Sequence, residues 1–144
     1  MSTILLVDDD LDSLWPLRLV VEEQGHHVLL ASEGEDALVK AARYLPDIIV
    51  TDWNMPKLDG VALCGRIRLY PALAKIAVVL TSSELPPEHL SNLWTAFMRK
   101  PLDLRAVEDC IGALLTRRLN APQHRNPPIA YGRSWPALPA KDWT

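Results

Sequence analysis

Short runs of apolar residues recur along the chain, separated by longer stretches in which apolar positions return every three or four residues. The runs are rich in Ile, Leu and Val, which is typical of buried strands in a parallel sheet. They predict strands at residues 3–7, 27–31, 48–51, 76–80 and 97–99. The run at 76–80 is apolar throughout, so we expect it to lie at the centre of the sheet.

The stretches between the runs have one apolar face and predict helices at residues 13–24, 35–44, 60–69, 87–94 and 104–119. Pro16 is compatible with the first helix only in its first turn, with Asp12 or Ser13 as the N-cap. The alternation of strands and helices predicts an α/β fold. We expect a five-stranded parallel sheet, doubly wound, with helices on both faces.

Polar side chains follow four of the predicted strands. Asp8 and Asp9 end the first strand, Asp52 the third and Thr81 the fourth, and Lys100 follows the fifth. The carboxyl ends of parallel strands meet at the edge where open α/β sheets hold their ligands. Neighbouring carboxylates repel one another unless protons or a cation separate them, and oxygen ligands favour Mg²⁺. Taken singly, each of these side chains is also typical of an ordinary strand end.

Composition narrows the class of protein. The 144 residues are 49% apolar and 23% charged, as in a soluble domain. No apolar run approaches the ~20 residues of a membrane span, and the N-terminus lacks the basic start of a signal peptide. We therefore expect a cytoplasmic protein without a membrane partner. The net charge of −3 and the lack of a basic stripe argue against direct nucleic-acid binding. Cys64 and Cys110 are expected to be small buried thiols.

The character of the sequence changes after residue 119. We expect residues 1–119 to form one domain and residues 120–144 to form a proline-rich tail that carries a net charge of +2. The tail is too short for an output domain. It nevertheless contains Trp135 and Trp143, which predict that it folds back on the body or crosses to a neighbouring subunit.

A carboxylate can accept a phosphoryl group covalently, and phosphoryl transfer needs a divalent cation, a positive side chain and a hydroxyl group. The chain supplies each of these at a strand end. Over residues 2–118 it resembles the receiver domain of two-component response regulators, and it is similar to the chemotaxis response regulators. The resemblance is carried by four motifs: Ile-Leu-Leu-Val-Asp-Asp at 4–9, Thr-Asp-Trp-Asn-Met-Pro-Lys-Leu-Asp-Gly at 51–60, Val-Leu-Thr-Ser at 79–82 and Arg-Lys-Pro-Leu at 99–102.

The resemblance implies a flavodoxin-like (βα)5 fold in which Asp52 accepts a phosphoryl group. The donor would be a histidine kinase or a phosphotransfer protein. Mg²⁺, or Mn²⁺ in its place, would be bound by Asp9 and Asp52 directly, by Asp8 through a water molecule, and by the backbone carbonyl of Asn54.

The resemblance also assigns the remaining roles. Lys100 would pair with the phosphoryl oxygens, the Thr81 hydroxyl would move onto them, and the Ser82 N–H would help to hold them. Phe97 would be the aromatic switch. Asn54 and Ser83 would tune the lifetime of the phosphorylated state. Independently of the resemblance, the Lys100–Pro101 bond is a candidate for the cis form.

The sequence departs from the family between Thr81 and Lys100, an interval a few residues shorter than usual. We therefore expect the fourth helix to be short or displaced. Phe97 also lacks the hydroxyl that a tyrosine would carry, so any switch at this position must be steric.

Three functions remain open at this point. The first is a single-domain response regulator that is not an enzyme in the usual sense and signals through contacts with a downstream protein or by dimerisation. The second is a receiver-like interaction module that works without phosphorylation. The third, an aspartyl-phosphate hydrolase, would need a second acid where the chain has Asn54.

Overall fold

The computed structural model describes residues 2–120, with side chains described as far as residue 117. Five strands and four α-helices follow one another along this part of the chain. In order they are β1 (Thr3–Val7), α1 (Trp15–Glu23), β2 (His27–Ala31), α2 (Gly34–Tyr44), β3 (Ile48–Asp52), α3 (Gly60–Leu69), β4 (Ala77–Ser82), β5 (Ala96–Arg99) and α4 (Leu104–Asn120). Two short 3-10 turns, Leu11–Leu14 and Glu88–Leu90, complete the set.

All five strands are parallel and lie in one sheet in the order β2-β1-β3-β4-β5. The order reverses beside β1, so β1 and β3 flank the switch point where such sheets hold their ligands. In the register of β3 with β4, Asp52 lies opposite Thr81. The predicted doubly wound parallel sheet is confirmed.

Each face of the sheet is covered by one pair of helices, because strand residues alternate between the two faces. On one face, Leu5, Ile49 and Val78 pack in a buried cluster with residues of α2 and α3. On the other, Ile4 and Val50 pack with residues of α1 and α4. β3 is buried along its whole length. Within residues 2–120, no helix has the length and apolar character needed to cross a membrane.

The start of the first helix differs from the prediction. α1 begins at Trp15, with Pro16 in its first turn, and Leu14 at the N-cap makes no side-chain capping bond. The cap lies one turn earlier, where the Asp10 carboxylate accepts a hydrogen bond from the backbone N–H of Asp12. The predicted caps, Asp12 and Ser13, were therefore wrong because a 3-10 turn precedes the helix.

The predicted fourth helix at 87–94 was also wrong. Residues 83–95, which connect β4 to β5, contain a single 3-10 turn, Glu88–Leu90. Trp94 is buried in the same cluster as α2 and α3 and fills space under this connection. Residues 2–120 therefore contain four α-helices where five were predicted.

The side chain of Arg68, near the end of α3, holds this connection in place. Its Nε donates to the carbonyl of Leu93 at 2.9 Å, and its Nη1 donates to the carbonyls of Ala74 and Ile76 at 2.9 and 2.7 Å. One guanidinium thus ties the end of this connection to the segment that precedes β4.

Two smaller predictions concern residues away from the sheet edge. Cys64 is buried as expected, whereas Cys110 is only half-buried, and both are free thiols. The predicted docking of the tail, with Trp135 and Trp143 as anchors, lies outside the described residues.

Candidate functional site

Asp52 lies at the last position of β3, at the carboxyl edge of the sheet. Its side chain is only 10% exposed. The backbone around it is fixed from two sides, since the Thr51 hydroxyl donates to the Asp52 carbonyl at 3.0 Å and the Trp53 N–H donates to the Thr81 carbonyl at 2.9 Å. The acid is therefore held by a buried strand while its carboxylate faces the sheet edge.

Two glycines allow the loop that follows Asp52 to lie close to the starts of α2 and α3. A Cβ on Gly60 would lie 2.2 Å from the Asp52 carbonyl oxygen, and a Cβ on Gly34 would lie 2.6 Å from the Leu58 carbonyl oxygen. Both distances are far below van der Waals contact, so only glycine fits at either position. The Gly60 N–H also donates to the Trp53 carbonyl at 2.8 Å, which ties the start of α3 to the backbone beside Asp52.

Three carboxylates converge at this edge. Oxygens of Asp8, Asp9 and Asp52 lie within 4.8 Å of one another, with Asp8 and Asp52 buried and Asp9 exposed. Asp8 is further held by the Asp10 N–H and by the Ser13 hydroxyl, each at 3.0 Å. A cluster of oxygen ligands with one open side is the donor set that Mg²⁺ prefers, so these residues fit such an ion.

Lys100 supplies the positive charge at the site. Its Nζ lies 3.0 Å from Oδ1 of Asp52 and 3.5 Å from Oδ2 of Asp8. The side chain is 32% exposed and approaches from the turn after β5, where the Lys100–Pro101 peptide bond is cis. One ammonium group thus contacts two of the three acids.

The pKa values of both members of this pair are raised, although burial and charge oppose one another in each. Burial raises the pKa of Asp52, and it outweighs the ion pair with Lys100, which acts to lower it. Burial acts to lower the pKa of Lys100, but the carboxylates of Asp52 and Asp8 outweigh it, so the pKa of the lysine is raised. The lysine is therefore held in its charged form beside a carboxylate that is poorly solvated.

Two hydroxyl residues extend the site along β4. Thr81 is buried, and its hydroxyl donates to the Thr51 carbonyl at 3.3 Å. Ser82 is also buried, and its hydroxyl accepts from the Glu84 N–H at 3.0 Å. Asn54 and Ser83 are exposed on the loops that flank the acids.

Phe97 is placed differently from the other candidate residues. It is half-buried against the cluster formed with α2 and α3. In the register of β4 with β5 it lies opposite Leu80, whereas Thr81 lies opposite Met98. The strand ladder therefore does not place Phe97 directly beside Thr81.

Sequence reasoning missed one residue of the site, Ser13. It was interpreted only as a helix cap, yet its hydroxyl contacts the buried Asp8 carboxylate. The available signal was a serine one helical turn beyond the acids, where a chain that turns back from a strand end approaches them again.

Comparisons with known proteins agree with this geometry. The sequence model of the response regulator receiver domain matches residues 4–112. The chain is 35% identical over 116 residues to the alkaline phosphatase synthesis transcriptional regulatory protein PhoP of Bacillus subtilis. This match includes 79% of the present chain but only 48% of PhoP, so the chain spans about half the length of that relative. It is 26% identical to the protein PilH of Pseudomonas aeruginosa, which it covers over 98%, with 80% of this chain matched.

A solved structure shows the same architecture. A response regulator from Chloroflexus aurantiacus superimposes with a TM-score of 0.75 at 27% identity, covering 81% of this chain and 98% of that one. Residues 4–112 make up most of the chain, and the acids and Lys100 lie within them. The chain belongs to the response regulator receiver domain family.

Proposed function

We propose that this protein is a phosphorylation-dependent response regulator in which Asp52 accepts a phosphoryl group from a phosphohistidine. The donor would be a histidine kinase or a phosphotransfer protein, and signalling would follow through contacts with a downstream protein. One observation carries the proposal: a buried carboxylate at the sheet edge with a lysine 3.0 Å away and two further acids within 4.8 Å.

The bonds formed and broken in this transfer balance. An oxygen of the Asp52 carboxylate forms a bond to phosphorus while the bond from phosphorus to the histidine nitrogen breaks. The imidazole keeps the electron pair and takes a proton from solvent. Lys100 neutralises phosphoryl oxygens as charge builds on them, which is the main catalytic demand of phosphoryl transfer.

The acids supply the second part of the site. Asp8, Asp9 and Asp52, with the backbone carbonyl of Asn54, would bind Mg²⁺, with Mn²⁺ as a substitute. The bound ion would provide charge neutralisation for the transferred group. Ser13 would keep the Asp8 carboxylate in its orientation through their hydrogen bond.

The response to phosphorylation would pass through β4 and β5. The Thr81 hydroxyl would exchange its bond to the Thr51 carbonyl for one to the phosphoryl group, and the Ser82 N–H would hold a second oxygen. Phe97 would respond by repacking against the cluster it borders. Asn54 and Ser83, which are exposed beside the acids, would set how fast water reaches the phosphoryl group.

The experiment is phosphorylation of the pure protein. The protein is mixed with Mg²⁺ and acetyl phosphate, or with a phosphorylated kinase, and its intact mass is followed. We expect a Mg²⁺-dependent gain of one phosphoryl group that Asp52→Asn abolishes. The matched control is Asp109→Asn, which removes the charge of an exposed acid on α4. A gain that persists in Asp52→Asn would refute Asp52 as the acceptor.

A second function is favoured by the region between β4 and β5. Residues 83–95 lack the predicted helix, and Phe97 is not placed directly beside Thr81. Both features favour an interaction module that works without phosphorylation. Equal affinity of wild type and Asp52→Asn for a partner, with and without phosphodonor, would select this alternative.

A further inference from the structure

A cavity of about 400 Å³ lies between the helical segment that follows β1 and the start of α4. Leu14 and Leu17 line one wall, and Leu102 and Leu104 line the other. Its polar end is formed by side chains that include Lys100. Its volume matches those of ligand pockets. It suits a group with a large apolar body and one polar atom, such as an indole.

Beside the cavity runs an exposed apolar ridge. Leu11, Trp15 and Leu19 are 45%, 57% and 42% exposed. Trp15 and Leu19 are four residues apart on α1 and therefore share a face. Pro16, which follows Trp15 in the chain, lines the cavity, so the ridge and the cavity wall belong to the same helical segment.

The surface of this helical segment is strongly acidic. Residues 8–23 contain six acidic side chains and one basic one, Arg18, which lies over the Trp15 ring at 5.9 Å. Residues 121–144 have the complementary composition, with three basic side chains and one acidic one. They also contain two tryptophans, Trp135 and Trp143, which match both the cavity and the ridge.

The distances permit this segment to reach the cavity. The cavity lies at the start of α4, and the helix ends at Asn120, so its axis spans about 25 Å at 1.5 Å per residue. The fifteen residues from Asn120 to Trp135 extend to roughly 50 Å. The segment is therefore long enough to return along α4.

We propose that residues 121–144 dock in the same molecule along this surface, with the indole of Trp135 or Trp143 in the cavity between α1 and α4. The cavity is lined by Asp8 of the acid cluster and by Lys100 and Thr81 beside it. A docked segment therefore covers one side of that cluster. Its effect on phosphorylation, unlike the docking itself, rests on the proposed function.

The test compares amide chemical shifts of the ¹⁵N-labelled full chain with those of Trp135→Ala and Trp143→Ala. We expect one of the two variants to shift the signals of cavity residues such as Leu14 and Leu104. The matched control is Tyr70→Ala, which removes an exposed aromatic ring at the end of α3. In the reciprocal experiment, Trp15→Ala is expected to shift the indole N–H signal of the docked tryptophan.

Three results would overturn the proposal. The first is that neither tryptophan variant shifts the cavity signals, which would leave the cavity to a separate partner. The second is that Tyr70→Ala produces the same shifts, which would show that they are not specific. The third is that the shifts depend on protein concentration and the protein elutes as a dimer, which would assign the cavity to the tail of a second copy. No phosphodonor is present, so these results are independent of whether Asp52 is phosphorylated.

Discussion

Replacing Gly60 with alanine tests how tightly the backbone of Asp52 is fixed. The new Cβ would lie 2.2 Å from the Asp52 carbonyl oxygen and 2.9 Å from Cα of Trp53. Ordinary contact begins at 3.4 Å, so the strand end and the start of α3 must separate by about 1.2 Å, the difference of 3.4 and 2.2 Å. Neither backbone atom belongs to a flexible side chain that could move aside.

The cost follows from this displacement. Overpacking of a well-packed site destabilises by roughly 1–3 kcal/mol, against a gain of about 0.4–1 kcal/mol from the less flexible unfolded chain. We expect Gly60→Ala to lower the free energy of unfolding by about 1–2 kcal/mol. Because a shift of about 1 Å at reacting groups can cost on the order of 100-fold in rate, we expect phosphorylation of Asp52 to slow by a similar factor.

Urea denaturation measures the first effect, and the rate of mass gain with Mg²⁺ and acetyl phosphate measures the second. Gly112→Ala is the matched control, since a Cβ at this position in α4 meets no atom within 4 Å apart from its chain neighbours and the backbone of its own helix. It should stabilise the protein by about 0.5–1 kcal/mol. If Gly60→Ala is as stable as wild type and is phosphorylated at the wild-type rate, the close approach does not fix Asp52.

Three further predictions concern single side chains. Arg68→Lys cannot reproduce the bonds to the carbonyls of Leu93, Ala74 and Ile76, so the free energy of unfolding in urea should fall by about 2–3 kcal/mol. Burial raises the pKa of Cys64 to about 12, so iodoacetamide at pH 8.5 should leave it unmodified in the folded protein. Stability that depends on this thiol is complete below pH 9 and falls as pH rises from 9 toward 12, because the unfolded chain loses the proton first. Ser13→Ala should weaken Mg²⁺ binding about 10-fold, measured by titration calorimetry, because it frees the Asp8 carboxylate.

Each of these predictions has an internal control. Arg66→Lys changes an exposed ion pair with Glu35 at 3.7 Å and should cost less than about 0.5 kcal/mol; an equal loss would contradict the role of Arg68. Cys110 is half-buried and should react faster than Cys64, so the reverse order would refute the burial argument. Ser91→Ala alters an exposed hydroxyl and should leave Mg²⁺ affinity unchanged.

The sheet was predictable because each strand is a short apolar run that ends at a polar residue. β1 and β2 begin and end at the predicted residues, and β3 is one residue longer than predicted because it includes Asp52. The acids and Lys100 converge because parallel strands bring their carboxyl ends to one edge. No distant contact is needed for this inference.

The connection between β4 and β5 could not be predicted in the same way. Residues 87–94 contain apolar positions at helical spacing, but Trp94 is buried under the connection, and Arg68 of α3 donates to the Leu93 carbonyl. Tertiary contacts of this kind override local helical preference and are not visible in a local pattern. Ser13 was missed for a related reason, since its contact with Asp8 depends on the 3-10 turn between them.

The glycines at 34 and 60 have a consequence for protein engineering. Surface loops usually accept inserted sequence, because lengthening a loop adds little closure entropy. The loop at 53–59 is an exception, since the start of α2 lies against its backbone at Leu58 and the start of α3 lies against the backbone of Asp52 and Trp53, where the loop begins. A peptide tag or reporter grafted there would push the acid out of register with its partners. Within the described chain, Leu85, 70% exposed between β4 and the following 3-10 turn, marks a safer graft point.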